Sequence, residues 1–457
     1  MSSSSSSSIG DHGNNGDETN STHKDISFTE LSVKTSDETD LLSFDIDYYS
    51  TDIIVKYVNN YDVDLFTLQN AQQSDIDAIK DSLQEYNCIG GVSQGYGGVC
   101  NPIFFKTEKY IRWFADTIWL TSSPYVASKL DTADNYSTCT YALLKSKEDD
   151  SYIAVFNTSL DENQEAKQEQ IFRLYSKYQC YISYFPTILT GNFSFSEVDV
   201  CRDLITNYGK MDKCSENGGT TVFTSCFSES EIQSVAHGNS GTSASFARVK
   251  KEKTPYTIDI TNNKMIALSF DDGPSLTDGA TNLVYDTLSK YKCKASFFLL
   301  GRNIKSEQSK NLIKKAWESG YEIGNHSYNH NNFSQITSDS ERNEEIKKTD
   351  DAIAAVCGFR ATLIRMPFGN KPADFTIDRP AIRWTFNVTA TESLETVKKN
   401  AKSGSIILLH DPDTTVSASV DPICEWLYSQ GYQCVTVSEL FEFRSVQMTA
   451  NSVYSMA

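Results

Sequence analysis

From Leu41 onward, short apolar runs alternate with polar, helix-like stretches: LLSFDI, DLFTLQ, NPIFF, TIWL, YIAVF and TILTG, with a helix expected between Ser74 and Tyr86. Short continuous apolar runs bounded by polar residues read as strands buried on both faces. A second cadence begins at MIALSF. It continues with a helix near 279–291, ASFFLLG, a helix at 309–319 closing on Gly320, YEIGNH, and a long polar helix near 340–356. TLIRMP, IRWTFNV, SIILLH, a helix opened by Asp421-Pro422 and closed by Gly431, and QCVTV complete it. Leu312, Ile313, Ala316 and Trp317 share one helical face. Strand-like runs alternating with helices predict a distorted (β/α) barrel, in which chemistry sits at the C-terminal ends of strands.

The intervening segments set the expected boundaries. Residues 1–39 carry a serine run and too little apolar material to offset chain entropy, so a disordered leader is expected. ESEIQSVAHGNSGTSASFARVKKEKTPY is small and polar, then basic, and reads as a linker at 229–258. The domains are then 40–228 and 259–446. A length of 457 residues agrees with two cores.

Composition narrows the partners. With 41 basic and 60 acidic residues the formal charge is −19, which argues against nucleic acid and for neutral or cationic partners. No apolar stretch is long enough to span a bilayer, and MSSSSSSS is not a basic-then-apolar signal, so neither a membrane span nor a signal peptide is expected. The 11 cysteines contain no CxxC pair, which disfavours thiolate zinc sites; their odd number leaves a thiol unpaired and does not settle the redox compartment. Sequons start at Asn20, Asn135, Asn157, Asn192, Asn325, Asn332 and Asn387, as chance allows in an Asn/Ser-rich chain.

Four strand ends in the second domain carry unusual residues. MIALSF runs into Asp271-Asp272-Gly273-Pro274, GYEIG into Asn325-His326-Ser327-Tyr328-Asn329-His330, TLI into Arg365-Met366-Pro367-Phe368-Gly369, and SIILL into His410-Asp411. Neighbouring strand residues face opposite sides, so one aspartate can bind a metal while the other accepts a proton. Two histidines four apart can share one cation and, with a carboxylate, leave positions open for water and substrate. Each piece alone is an ordinary turn, helix face or strand end. Their joint occurrence, in this order, singles them out.

From about Lys264 to Leu440 this set resembles the NodB-type polysaccharide deacetylases, carbohydrate esterase family 4, with ASFFLLG and GYQCVTVSEL in place. The resemblance implies Asp271 as catalytic base and Asp272, His326 and His330 as ligands of a divalent metal, zinc above others. It also implies Arg365 tuning Asp271, the Phe368 amide at the oxyanion, His410 as general acid and Leu408 lining the acetate pocket. One motif departs: where the family has Asp-x-x-Asp-Trp, this chain has Asn387-Val388-Thr389-Ala390-Thr391 after Trp384-Thr385-Phe386. Loss of the second aspartate would leave His410 less well oriented.

Residues 40–210 resemble the endonuclease/exonuclease/phosphatase superfamily through SFDI, DLFTLQN, NPIFF, TIWLTSSP, CTYALLK, FNTSLD and TILTGNFS, which implies a two-sheet α/β sandwich. The reactive positions do not fit. Asp45 stands for an asparagine, Asn70 for the metal-binding glutamate, Ser159 for a histidine, and Asn192 and Ser194 for an aspartate and an asparagine. His237 is the nearest histidine, and no terminal Asp-His is present. A pseudo-enzyme domain is expected.

Two readings stand. One is a zinc-dependent deacetylase of N-acetylated polysaccharide, most simply chitin, with a degenerate appended domain. The other, motivated by Ala390, is a non-catalytic carbohydrate-binding or structural protein. A polymer substrate suggests a cell wall or extracellular matrix, although no export signal is visible and a glycan at Asn325 would crowd the metal cleft.

Overall fold

The first strand, Glu38–Asp45, pairs in parallel with Leu65–Gln69 and antiparallel with Ser243–Lys251, and these three form the middle of a six-stranded sheet. The structure is a computed structural model that describes residues 32, 34, 35, 37–91, 100–193, 200–217, 220–236, 243–390 and 393–457. A second six-stranded sheet runs from Tyr110–Trp119 through Thr138–Ser146, Tyr152–Ser159, Thr187–Asn192 and Thr220–Ser225 to Asp212–Asn217. Leu41, Leu65 and Val249 of the first sheet meet Leu144, Val155 and Ile188 of the second. Their neighbours along the strands face outward: Leu42, Phe44 and Phe66 pack with Ile54, Tyr57 and Ile76 of two helices, and Tyr141 and Phe156 with the helix Gln164–Ile182. Burial on both faces explains the unbroken apolar runs, and the expected two-sheet α/β sandwich follows.

The stretch expected to be a linker is mostly sheet. Phe227–Ala236 and Ser243–Lys251 form an antiparallel pair, and the latter aligns with the first strand from Glu38↔Lys250 to Ser43↔Ser245. Its polarity misled because the polar residues have buried partners. Arg248 closes on Asp40 with contacts of 2.7 and 2.9 Å, and both side chains are buried. The first strand likewise takes in Glu38 and Thr39 of the expected leader.

In the second half a parallel sheet runs in the order Glu322–Asn325, Ala295–Leu299, Met265–Asp271, Ile406–His410, Phe386–Asn387, with Gln433–Val435 against the start of Met265–Asp271. Single bridges from Asn325 to Ile364 and from Ile364 to Ala381 continue its curl, but no closed barrel forms among the described residues. Two expected strands are the weak points. TLIRMP contributes one bridging residue because Pro367, which has no N–H, opens a short 3₁₀ turn. IRWTFNV is divided between two partners: Ala381–Ile382 pairs with Val453–Tyr454, where the Arg383 N–H bonds the Tyr454 carbonyl, and Phe386–Asn387 pairs with Ile406–His410. The helix expected to open at Asp421 starts at Thr414, capped by Asp413 through the amides of Thr415 and Val416, and Pro422 lies inside it.

One apolar core passes through both halves, joining Tyr178 and Tyr181 of Gln164–Ile182 to Met265, Ile406, Val437 and Phe441. Tyr175 stacks on Phe359 at 4.1 Å and accepts a 3.1 Å hydrogen bond from Trp317 Nε1. Met265 and Ile406 begin their strands, so the helix docks on the N-terminal side of the parallel sheet, opposite the strand ends of interest. The 10 cysteines whose side chains are described are free thiols. Asn157 and Asn325 are fully buried, which closes both sequons to glycan attachment in the folded chain.

Candidate active site and metal centre

Asp271 ends its strand with a buried carboxylate, and Oδ1 accepts a 2.7 Å hydrogen bond from Arg365 Nη1. Arg365 has no exposed surface. Its Nη2 donates to Ser269 Oγ (3.0 Å) and the Arg383 carbonyl (3.1 Å), its Nε donates to the Ile382 carbonyl (3.2 Å), and the guanidinium lies 4.1 Å from the Phe298 ring. Burial pushes its pKa below the ordinary value, and Asp271 opposes that shift. Such a buried cation is tolerable because its donors and its charge are both matched.

The backbone of Arg365 orients a ligand as well. His326 Nδ1 lies 2.7 Å from the Arg365 carbonyl oxygen, so Nδ1 carries the proton and Nε2 offers its lone pair. That Nε2 is 3.6 Å from Asp272 Oδ1 and 3.6 Å from Asp271 Oδ2, while His330 Nε2 is 3.5 Å from the same Asp272 oxygen. Ligand atoms of Asp272, His326 and His330 all lie within 4.8 Å of one another. Asp272 has φ 70 and His330 φ 62, both left-handed. This backbone turn brings Asp272 to the histidines, so the two aspartates are not divided by simple strand alternation as expected.

These residues fit a cation. Asp272 Oδ1 is buried without a hydrogen-bond partner among the described residues, an arrangement that burial normally penalises. One carboxylate oxygen and two imidazole nitrogens make a three-ligand donor set that can hold a divalent cation and leave positions open. Burial and the neighbouring imidazole of His326 hold His330 below its usual pKa, favouring the neutral ring that can donate a lone pair.

Phe368 sits at φ 60 with its ring 4.7 Å from that of His330 and largely exposed. His410 ends the adjacent strand in register with Asp271, and Leu408, two residues earlier, is buried. The His410 imidazole has no hydrogen-bond partner among the described residues, and Asn387 and Ala390 are exposed; Thr391 lies outside the described residues. The structure therefore brings together Asp271, Asp272, His326, His330 and Arg365, with Phe368 against His330 and His410 beside Asp271.

Sequence reading missed the groups that hold this arrangement. Glu345, on the polar helix Asp339–Cys357, accepts from the amides of Tyr328 (3.1 Å) and Asn329 (2.7 Å) and so fixes the loop between the two histidines. Asp411, fully buried, takes a hydrogen bond from Thr281 Oγ1, and burial pushes its carboxyl up to about 7. Only a helix face of mixed charge hinted at Glu345, and such faces are normally solvated.

In the first half, Asp45 is buried and accepts from Asn192 Nδ2 (2.7 Å) and Asn70 Nδ2 (3.2 Å), and Ser159 pairs with Asn192 in register. Burial raises the Asp45 pKa. Asp45, Asn70, Ser159 and Asn192 thus gather at neighbouring strand ends as one carboxylate, two amides and a hydroxyl. Ser194 and His237 lie outside the described residues.

The polysaccharide deacetylase family model matches residues 259–379. Over 196 residues the chain is 39% identical to a bifunctional xylanase/deacetylase of Pseudobutyrivibrio xylanivorans, covering 40% of this chain and 32% of that protein. Over 217 residues it is 34% identical to a peptidoglycan-N-acetylglucosamine deacetylase of Bacillus cereus, covering 43% of this chain and 98% of that one. Among solved structures, an endonuclease/exonuclease/phosphatase of Bacteroides vulgatus aligns with 48% of this chain and 100% of its own, at 18% identity and a TM-score of 0.44.

Proposed function

The chain belongs to the polysaccharide deacetylase family, and on that premise we propose that it removes N-acetyl groups from an N-acetylglucosamine-containing polysaccharide, chitin before others. The convergence of the His326 and His330 Nε2 atoms on the unpartnered Asp272 Oδ1, beside the buried Asp271–Arg365 pair, carries this reading. The net charge of −19 favours a neutral polymer that becomes cationic on deacetylation.

Asp272, His326 and His330 would hold a divalent cation, zinc by their donor set, which would supply Lewis acidity and a more acidic water. Asp271 takes the proton of the attacking water. Arg365 keeps that carboxylate aimed while the base is ionised. The backbone N–H of Phe368 donates to the developing oxyanion, whose charge is then met within a preformed turn. His410 returns a proton to the leaving amine, and Leu408 contacts the acetyl methyl. With Asn387 and Ala390 in place of the two aspartates, His410 is expected to orient less firmly and the rate to be modest.

The first half is proposed to be catalytically silent toward phosphodiesters and phosphomonoesters, because amides and a hydroxyl occupy the places of the glutamate and histidine. His410, which has no hydrogen-bond partner among the described residues, favours the second reading, a carbohydrate-binding protein without turnover. Acetate release from an N-acetylated chitin oligomer, compared with peptidoglycan and acetylxylan, decides between them. Zinc-dependent release from the chitin oligomer is expected; binding without release establishes the second reading. His330→Ala should lower zinc occupancy, and unchanged occupancy would refute the ligand assignment.

A further inference from the structure

We propose that the first half positions the metal site of the second through a continuous chain of charged groups running from Glu169 to the residue before His326. The proposal rests on the reading of Asp272, His326 and His330 as metal ligands.

The chain can be followed link by link. Glu169, on the helix Gln164–Ile182, receives Arg360 Nη2 at 2.9 and 3.1 Å and Arg173 Nη2 at 2.6 Å. Arg360 lies 4.0 Å from the ring of Phe172 on the same helix and reaches Asp378 at 2.9 Å. Asp378 binds Arg379 Nε at 2.9 Å, and Arg379 closes on Asp350 with contacts of 2.8 and 2.7 Å. Arg379 and Asp350 are both buried. Asp350 Oδ1 then accepts from Asn325 Nδ2 at 2.9 Å.

Asn325 is where the chain meets the site. Its Nδ2 also donates to the Ile346 carbonyl (2.9 Å), and its Oδ1 accepts the Ser327 N–H (2.8 Å). Ser327 has φ 69, and its Oγ accepts the His330 N–H at 3.1 Å. The rotamer of one fully buried amide therefore sets the start of the loop between the two histidines, and Glu345 holds its middle. That amide is fixed by Asp350, whose buried charge needs Arg379. Burial would raise Asp378, but Arg379 and Arg360 hold it well below the usual carboxylate range, so it stays charged and bridges the two arginines. The first half supplies two charges to this run: Glu169, which pairs with Arg360, and Arg173, whose guanidinium lies 3.9 Å from the Asp378 carboxylate and donates to the Asp378 carbonyl at 3.3 Å.

An isolated, part-exposed ion pair contributes little and would influence nothing beyond its own ends. A buried network behaves differently. Removing one charge leaves the next unmatched in a medium that screens poorly, and the remaining groups re-pair.

The test uses the full-length protein and zinc alone, with affinity measured by competition against a chelator. A second readout is amide hydrogen exchange at residues 325–331 in the metal-free protein. Glu169→Gln, a part-exposed isosteric change, is expected to weaken zinc about threefold to tenfold and to speed exchange at Ser327. Arg360→Gln should do the same, and the double variant should fall well short of the product of the two effects. Tyr184→Phe removes a 3.0 Å hydrogen bond to Glu439 between the same two halves without touching the chain, so it should leave both readouts at the wild-type level. Unchanged affinity and exchange in Glu169→Gln would overturn the proposal, as would equal effects from Tyr184→Phe. Retention of zinc by His330→Ala would instead overturn the ligand assignment itself, which keeps the two failures distinct.

Discussion

Gly273 follows the proposed ligand Asp272, and a methyl group there has nowhere to go. A Cβ built on its backbone would lie 2.6 and 2.7 Å from the two carboxylate oxygens of Asp411 and 3.0 Å from Cγ. Asp411 cannot swing away. It is fully buried, one oxygen accepts from Thr281 Oγ1, and its carbonyl accepts from Ser417 Oγ at 2.8 Å. Gly273→Ala must therefore shift the backbone that carries Asp272. Overpacking of this kind costs about 1–3 kcal/mol, offset by about 0.4–1 kcal/mol from the stiffer unfolded chain, for a net loss of about 1–2 kcal/mol. Displacement of Asp272 should weaken zinc about 10–100-fold. Gly279→Ala is the control: its Cβ meets nothing within 4 Å, but its φ of +68 makes alanine cost about 1–2 kcal/mol. Urea denaturation and chelator competition on both variants separate instability from site damage. Adding Asp411→Ala to Gly273→Ala should recover part of the loss, since it removes the clashing group. Wild-type zinc affinity in Gly273→Ala would refute the reasoning.

Three other outcomes follow from the same structure. Asp271→Asn should retain zinc and lose acetate release by about 10²–10⁴-fold, because it removes a proton acceptor and not a ligand; equal turnover would show the adjacent aspartates to be misassigned. Lys294→Met leaves the buried Glu439 carboxylate without its cation, beside Tyr184 Oη at 3.0 Å, and should cost about 3–5 kcal/mol in urea denaturation. Burial raises the Glu322 carboxyl above its usual 4.5, against the hydrogen bonds from Ser296 and Ser438. The folded state then holds a proton more tightly than the unfolded chain, so this contribution is full below about 4.5 and falls as pH rises through the folded value. Glu322→Gln should remove that slope, as read from urea midpoints across pH 4–8.

The candidate site was legible because Asp271, Asp272, His326, His330, Arg365 and His410 interrupt the C-terminal ends of apolar runs, where strand geometry leaves few other places for them. The two-sheet sandwich was legible for a related reason: strands such as Tyr152–Ser159 are apolar on both faces. What escaped is polar sequence whose partners are distant. Arg248 read as linker charge, yet it is buried on Asp40, 208 residues away. Pro422 read as a helix start, but Asp413 caps the helix earlier and the core residues Val416 and Val420 carry it past the proline. Glu345 and Asp350 read as a solvated helix face; their partners come from the histidine loop and from Arg379, pairings that helical spacing alone does not contain. Gly273-Pro274 signals a turn after Asp272, but the left-handed backbone of the aspartate itself is chosen by its surroundings and not by strand spacing.

The central claim is that this geometry hydrolyses an acetamide on a polysaccharide. It is tested most directly by measuring acetate from an N-acetylated chitin oligomer with zinc-loaded protein, the metal-free protein and the Asp271→Asn variant side by side. The account predicts continuing release with amine appearing in equal amount, and none above background in the other two. Failure of the zinc-loaded protein to release acetate from the chitin oligomer and from peptidoglycan, or release from the ester acetylxylan alone, would contradict it.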